Sequence, residues 1–99
     1  MGAIHVYLEE GFDHDHVMVD AGTERLEELD VTTRHQIGLA RVVDVVVPDG
    51  AQVAVSVAVP GRNMTAEATV DPTATPHLRV SVVGGSLVMQ AEGGAPMFA

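Results

Sequence analysis

Residues 42–61, VVDVVVPDGAQVAVSVAVPG, decide the fold that this sequence predicts. β-Branched residues flank Pro48-Asp49-Gly50 on both sides, and Asp-Gly between such segments is typical of a tight turn. After the turn, valine alternates with alanine and serine from residue 53 to residue 59. Because successive side chains of a strand point to opposite faces, this segment is predicted to be a strand with one apolar face. The stretch therefore predicts a hairpin of two valine-rich strands, which Pro60-Gly61 ends.

The same alternation recurs along the rest of the chain, between turns that glycine and proline mark. It predicts further strands over residues 3–9, 16–21, 64–70, 77–83 and 86–91. Seven or eight short strands at this spacing are typical of an all-β sandwich or barrel, and hairpin connections make the sheets mainly antiparallel. Few bulky side chains are present to fill a barrel. We therefore expect a small two-sheet sandwich of the immunoglobulin-like or prealbumin-like architecture, a likeness that implies no function.

The segment from residue 23 to residue 40 admits two interpretations. Thr23 can cap a short helical turn within residues 23–29, with glutamates in its first turns. The β-branched Val31 and the pair Thr32-Thr33 instead favour a short edge strand followed by a turn. Gly38 argues against one long helix.

Length and composition are those of one small domain. The chain has 99 residues, no cysteine and 46% hydrophobic residues. We expect a single domain over residues 1–92 and a flexible tail over residues 93–99. Without cysteine, disulfides, thiolate metal sites and cysteine nucleophiles are excluded. No signal peptide or transmembrane stretch is visible, so the default expectation is a cytoplasmic protein, with a trimmed exported chain as the open alternative.

The charge balance limits the partners that this protein can have. The formal net charge is −9, and the five basic residues are all scattered arginines. Nucleic acids and anionic membranes both require a clustered basic surface, so neither is an expected partner. We expect a protein partner, such as a second copy of the chain.

The segment Asp13-His14-Asp15-His16 is the best candidate for chemistry. Imidazole and carboxylate groups are ligands for zinc and other divalent transition metals. In an extended backbone, His14 and His16 would lie on one side and could chelate one ion. The spacing matches no metal-site template, and the alternative interpretation is a polar loop between strands. No cofactor is otherwise expected.

Catalysis has little support in the sequence. Ser56, Ser81 and Ser86 lie in or beside predicted strands and lack the G-x-S-x-G pattern of a nucleophile elbow. His5 and His77 both lie at the start of predicted strands, so they come together only if those two strands pair. The sequence therefore predicts a protein that is not an enzyme.

A surface for self-association has more support, because residues 42–47 are apolar on both faces of the predicted strand. A simple sandwich needs only one apolar face on each strand. Residues 54–58 add a smooth surface of small side chains on the reverse of the second strand. This surface could be covered by a second subunit, by the C-terminal tail or by the segment 23–40. The predicted interface residues are Val42, Val46, Ala54, Ser56, Ala58, Met97 and Phe98.

Two functions follow from the sequence as hypotheses. The first is a non-enzymatic binding or assembly module that uses sheet faces or edges to form a homo-oligomer or to dock a protein partner. The second is a small divalent-metal-binding protein that uses the segment Asp13–His16.

Overall fold

In the part of the chain that the structure describes, eight strands form two four-stranded sheets. A computed structural model describes residues 2–34, 36–47 and 52–96. None of these ranges forms a helix long and apolar enough to cross a membrane. The strands are β1 Gly2–Leu8, β2 Asp15–Ala21, β3 Glu24–Val31, β4 Arg41–Val47, β5 Val53–Val59, β6 Met64–Val70, β7 His77–Val83 and β8 Ser86–Glu92. A turn of 3-10 helix at Pro60–Arg62 follows β5, where proline has no N–H to continue the ladder.

The two sheets pack together as a sandwich, which confirms the predicted fold class. One sheet has the strand order β4-β1-β7-β8 and the other has the order β3-β2-β5-β6. Strands β1 and β7 are parallel, whereas the other neighbouring pairs are antiparallel. The predicted limits of the domain, residues 1–92, stay a prediction.

The core lies between the inner faces of the two sheets and is built mainly from valine. Val53, Val55, Val57 and Val59 are buried along β5, as its alternation predicts. Ile4, Val6 and Leu8 of β1 and Leu78 and Val80 of β7 are buried on the opposite sheet. Burial of one such side chain stabilises the fold by about 1.5–3 kcal/mol, so these inner faces hold the two sheets together.

The predicted hairpin of residues 42–61 is wrong. Strand β4 pairs with β1, whereas β5 pairs with β2 and β6 in the other sheet. The chain therefore crosses from one sheet to the other between β4 and β5. Both strands bury their valines in the same core, so their alternation is the same as in a hairpin. The turn itself, residues 48–51, lies outside the described residues.

The helical turn considered for residues 23–29 is also wrong, and the alternative edge strand is confirmed. Strand β3 pairs with β2 along the edge of its sheet, with Leu26 opposite Val19 on the inner face. Since β3 extends this sheet sideways, it does not cover the outer face of β5. Ala54 on that outer face is exposed.

Candidate functional site

A row of four ionisable side chains crosses the outer face of the β4-β1-β7-β8 sheet. His5 of β1 lies opposite Asp44 of β4 and, through the parallel pairing, opposite His77 of β7. His77 in turn lies opposite Glu92 of β8. The inner neighbours of these residues are core side chains, so the period of two places all four on the outer face. We call this surface the histidine face.

The two histidines are stacked, and each is oriented through its Nδ1 atom. The ring centroids of His5 and His77 are 5.1 Å apart and the ring planes differ by 22°. Nδ1 of His5 lies 2.7 Å from an Asp44 carboxylate oxygen. Nδ1 of His77 lies 2.8 Å from the hydroxyl of Tyr7. In both rings the distal nitrogen, Nε2, is therefore the atom left for other partners.

Tyr7 remains a neutral phenol at physiological pH. Desolvation raises its pKa above the ordinary value, and the negative charge of Asp44 raises it further. A protonated hydroxyl can donate to His77 or accept from it. The tautomer of His77 can therefore change without loss of this hydrogen bond.

An ion pair fixes the neighbouring part of the histidine face. The Nε and Nη2 atoms of Arg79 donate to the two carboxylate oxygens of Glu9 at 2.7 and 3.1 Å. Glu9 is buried although it is charged, and Arg79 also lies 3.5 Å from Glu92. The hydrogen bond to Glu9 is the main reason that the pKa of Arg79 is raised. Arg79 of β7 therefore links the residue that follows β1 to the end of β8.

Exposed valines flank this polar centre. Among the described residues, five large hydrophobic side chains are exposed, and four of them lie on the histidine face. Val42 and Val46 are on β4, at one edge of the sheet. Val83 and Val88 are on β7 and β8, near the turn that joins them. The register of the strands places Val42 and Val46 on either side of Asp44 along the edge strand β4, whereas Val83 and Val88 lie toward the far end of β7 and β8.

The predicted metal-binding segment does not converge on one point. Asp15 is buried, and its carboxylate is held by Arg62, whereas Asp13 and His14 are exposed. His14 has a φ of 51°, so the backbone is not extended there and the expected same-side pair with His16 does not form. Residues 2–34, 36–47 and 52–96 contain no group of three or more histidine and acidic side chains placed to hold a metal ion.

The histidines of this segment instead pair with acidic residues of β3. Nδ1 of His14 is hydrogen-bonded to Asp30, whereas Nε2 of His16 lies 3.3 Å from a Glu27 oxygen but has no hydrogen-bond partner among the described residues. The hydrogen bond and negative charge of Asp30 raise the pKa of His14. Metal binding by this segment stays a prediction, and its side chains would have to leave these partners to bind an ion.

The residues of the predicted interface are divided between two surfaces. Val42 and Val46 are exposed on the histidine face. Ala54, Ser56 and Ala58 lie on the outer face of the other sheet, on β5. The division follows from the wrong hairpin, because β4 and β5 belong to different sheets. The remaining two residues, Met97 and Phe98, lie outside the described residues.

The sequence predicts that His5 and His77 meet only if their strands pair, but it does not predict that these strands do pair. His5 and His77 come together because β1 and β7 are neighbours, a contact between segments that are far apart in the chain. Their position at the starts of two alternating strands was the available signal. Comparison of the chain with protein-family models, curated proteins and solved structures finds no match. The proposals below therefore depend on the geometry of the site.

Proposed function

We propose that this protein is a non-enzymatic assembly module that self-associates through the histidine face. The observation that supports this proposal is the set of four exposed valines on that one face. An outer sheet face that meets water is normally polar, and large exposed apolar patches on soluble proteins mark sites of association.

The arrangement of the valines favours a second copy of the chain as the partner. In a twofold dimer the same patch occurs on both subunits and must complement itself. Consider a twofold axis that lies in the interface and exchanges the β4 edge of the face with the far end of β7 and β8. This axis places Val42 and Val46 of one protomer against Val83 and Val88 of its partner.

The distribution of charge also favours this face. The chain carries a formal net charge of −9, so two copies repel each other over most of their surfaces. On the histidine face, the carboxylates of Glu9, Asp44 and Glu92 are partly offset by Arg79. Most of the net negative charge therefore lies elsewhere, which limits the repulsion between two copies that meet through this face.

The size of the face indicates a weak and reversible dimer. Four strands of seven residues, at spacings of about 4.8 Å between strands and 3.3 Å along them, cover roughly 440 Å². A stable interface of standard size buries about 800 Å² on each partner. We therefore expect self-association at high micromolar concentrations unless another interaction adds to it.

Sedimentation velocity over a range of protein concentrations tests this proposal. We expect the wild-type mass to rise toward that of a dimer as the concentration increases. Val46→Asp and Val83→Asp should each keep the protein monomeric, because each places a charge on an apolar part of the proposed interface. Leu29→Asp is the matched control, since Leu29 is exposed on β3 of the other sheet and the change in charge is the same.

Two results would contradict the proposal. One is a wild-type mass that stays monomeric at every concentration. The other is equal dimerisation of the wild type and of both valine variants, which would place the interface on another surface. Circular dichroism spectra and melting curves of each variant establish that the sandwich is folded before the masses are compared.

A further inference from the structure

Strand β8 has an open edge whose backbone can pair with another strand. The two-residue turn Gly84-Gly85, with φ angles of 59° and 81°, joins β7 to β8, so the residues on either side of it form a hydrogen-bonded pair. Hydrogen-bonded and non-hydrogen-bonded pairs alternate along an antiparallel ladder. The backbone N–H and C=O groups of Leu87, Met89 and Ala91 therefore point away from β7. Within the described chain, these three residues form no backbone hydrogen bond on that side.

The side chains along this edge are apolar and incompletely covered. Those of the same three residues pack against the core but are only partly buried, whereas Leu78 and Val80 of the neighbouring strand β7 are fully buried. Strand β6 of the other sheet lies beside β8 without pairing with it. An open cavity of about 200 Å³, lined by residues 63–65 and 85–87, separates the starts of these two strands. A strand added beside β8 would cover this apolar row.

The positions of the charges distinguish β8 from the other edge strands of the described structure, β3, β4 and β6. Asp44 is the middle residue of β4, Glu67 is the middle residue of β6, and glutamates lie at the middle of β3. The middle residue of β8 is Met89, and its single charged residue is Glu92 at its end. When two identical strands pair about a twofold axis, their middle residues lie opposite each other. Carboxylates would then meet at the other three edges, whereas two methionines would meet at β8, so the charge pattern favours a second copy there.

We propose that β8 pairs antiparallel with β8 of a second copy, about a twofold axis at Met89, so that two β4-β1-β7-β8 sheets become one continuous sheet. In this register Leu87 lies opposite Ala91 of the other copy. All three residues with unpaired backbone groups are used, which gives about six hydrogen bonds between the copies. Ser86 lies opposite Glu92 of the other copy, and its hydroxyl can donate to that carboxylate. The ends of the two strands therefore complement each other as well as their middles.

This edge contact goes beyond the proposed function, because it is a second surface for self-association and does not depend on the histidine face. Seven residues at about 3.3 Å each, on a sheet about 10 Å thick, present roughly 230 Å², about half of the area of the histidine face. The edge contact should therefore be the weaker of the two, so the valine variants remain monomeric at concentrations where the wild type forms its face dimer. Because a wild-type chain can have one neighbour at its face and another at its edge, its assembly can continue beyond the dimer at higher concentrations.

Disulfide trapping on the untagged full chain tests the edge contact, because a single introduced cysteine is the only thiol in this cysteine-free protein. Met89→Cys places that thiol at the twofold axis, where the two Cα atoms would lie about 5.5 Å apart, a separation that suits a disulfide. With diamide as the oxidant, we expect covalent dimers on a non-reducing gel to form about tenfold faster than in Met18→Cys, because the two thiols are held together. Met18→Cys is the matched control, since Met18 is also a half-buried strand methionine but lies on the outer face of the other sheet.

Second substitutions in the Met89→Cys chain separate the edge from the histidine face. Ala91→Lys should slow cross-linking about tenfold, because it places a charge against the apolar Leu87 of the other copy. Ala54→Lys, the same change on the exposed outer face of the other sheet, should have no effect. Val46→Asp, which removes the face dimer, should leave cross-linking through the edge intact.

The outcomes distinguish failure of the edge contact from failure of the proposed function. Equally slow cross-linking of Met89→Cys and Met18→Cys would overturn pairing with a second copy, leave this edge to a strand of another protein and not affect the case for the histidine face. Cross-linking that Ala91→Lys does not slow, or that Val46→Asp abolishes, would also overturn the edge contact. Fast cross-linking in a chain for which sedimentation finds no face dimer would support the edge contact and contradict the proposed function. Melting curves establish that each variant is folded.

Discussion

The ion pair between Arg62 and Asp15 provides the sharpest test of how this sandwich is held together. Arg62 lies in the 3-10 turn after β5, and Asp15 begins β2. The Nε and Nη2 atoms of Arg62 donate to both carboxylate oxygens of Asp15 at 2.9 and 2.7 Å. Arg62 also donates to the carbonyl of Gly11 at 3.2 Å. The pair therefore ties the loop between β1 and β2 to the end of β5.

We expect Arg62→Gln to destabilise the fold by about 2 kcal/mol. Removal of one partner from a fully buried ion pair costs about 3–5 kcal/mol, whereas an exposed pair contributes about 0–1 kcal/mol. The Asp15 side chain is 9% exposed and the Arg62 side chain is 36% exposed, so this pair lies between these limits. In Arg62→Gln the carboxylate of Asp15 keeps the backbone N–H of Asp13 as a donor. For a domain of this size, the loss lowers the melting temperature by about 8–16 °C.

Urea unfolding at neutral pH, followed by circular dichroism, measures this effect in a double-mutant cycle. Asp15→Asn in the Arg62→Gln background removes the unpaired charge and should restore about half of the lost stability. The coupling between the two residues should then be at least about 1 kcal/mol. Arg34→Gln is the control, because Arg34 is exposed, and it should change stability by less than about 0.5 kcal/mol. An effect of Arg62→Gln no larger than this control, or additive single effects, would refute the reasoning.

Three further predictions concern other parts of the structure. Gly11→Ala should destabilise the fold by about 3 kcal/mol in the same urea assay, because Gly11 has a φ of 86° and a Cβ there would lie 2.5 Å from the Val82 carbonyl oxygen; Gly61→Ala, where a Cβ meets nothing within 4 Å, should be nearly neutral. Asp30→Asn should lower the pKa of His14 toward its ordinary value in an NMR titration, because Asp30 causes most of the increase. Because the pKa of His14 is raised in the folded state, the pairing of His14 with Asp30 stabilises the fold fully below the unfolded pKa of about 6.5, and this stabilisation is lost as the pH rises through the folded-state pKa. An unchanged pKa of His14 in Asp30→Asn would contradict the role of Asp30. Self-association, measured by sedimentation, should increase between low salt and about 0.5 M NaCl, because salt screens the repulsion between two chains that each have a formal charge of −9. Weaker association at high salt would instead indicate an interface held by ion pairs.

Local structure in this protein could be predicted from the sequence because the strand pattern is strictly local. The alternation of valine with small residues identified residues 53–59 as a strand and placed its valines in the core. Strands 64–70 and 77–83 were predicted with the bounds that the structure shows. In each case, apolar side chains at every second position, between turns marked by glycine or proline, predicted the strand.

Pairing between strands could not be predicted in the same way. The sequence Pro48-Asp49-Gly50 is a signal to turn the chain, but it does not show whether the flanking strands pair or enter different sheets. Strands β4 and β5 each need one buried apolar face, and both arrangements satisfy that need. The neighbours of β4 and β5 are set by β1 and β2, which lie far away in the sequence. For the same reason, the sequence does not predict that His5, His77 and their acidic partners lie in one row.

Asp44 connects the fold of β4 with its proposed role. Strand β4 is an edge strand with the sequence RVVDVVV, and exposed apolar edge strands tend to pair with other chains without control. A single charge in the middle of such a strand opposes edge-to-edge pairing, since two copies aligned there would bring like charges together. The same carboxylate orients His5 on the adjacent strand. Asp44 therefore disfavours association through the edge of β4, which leaves the face beside it for the proposed self-association.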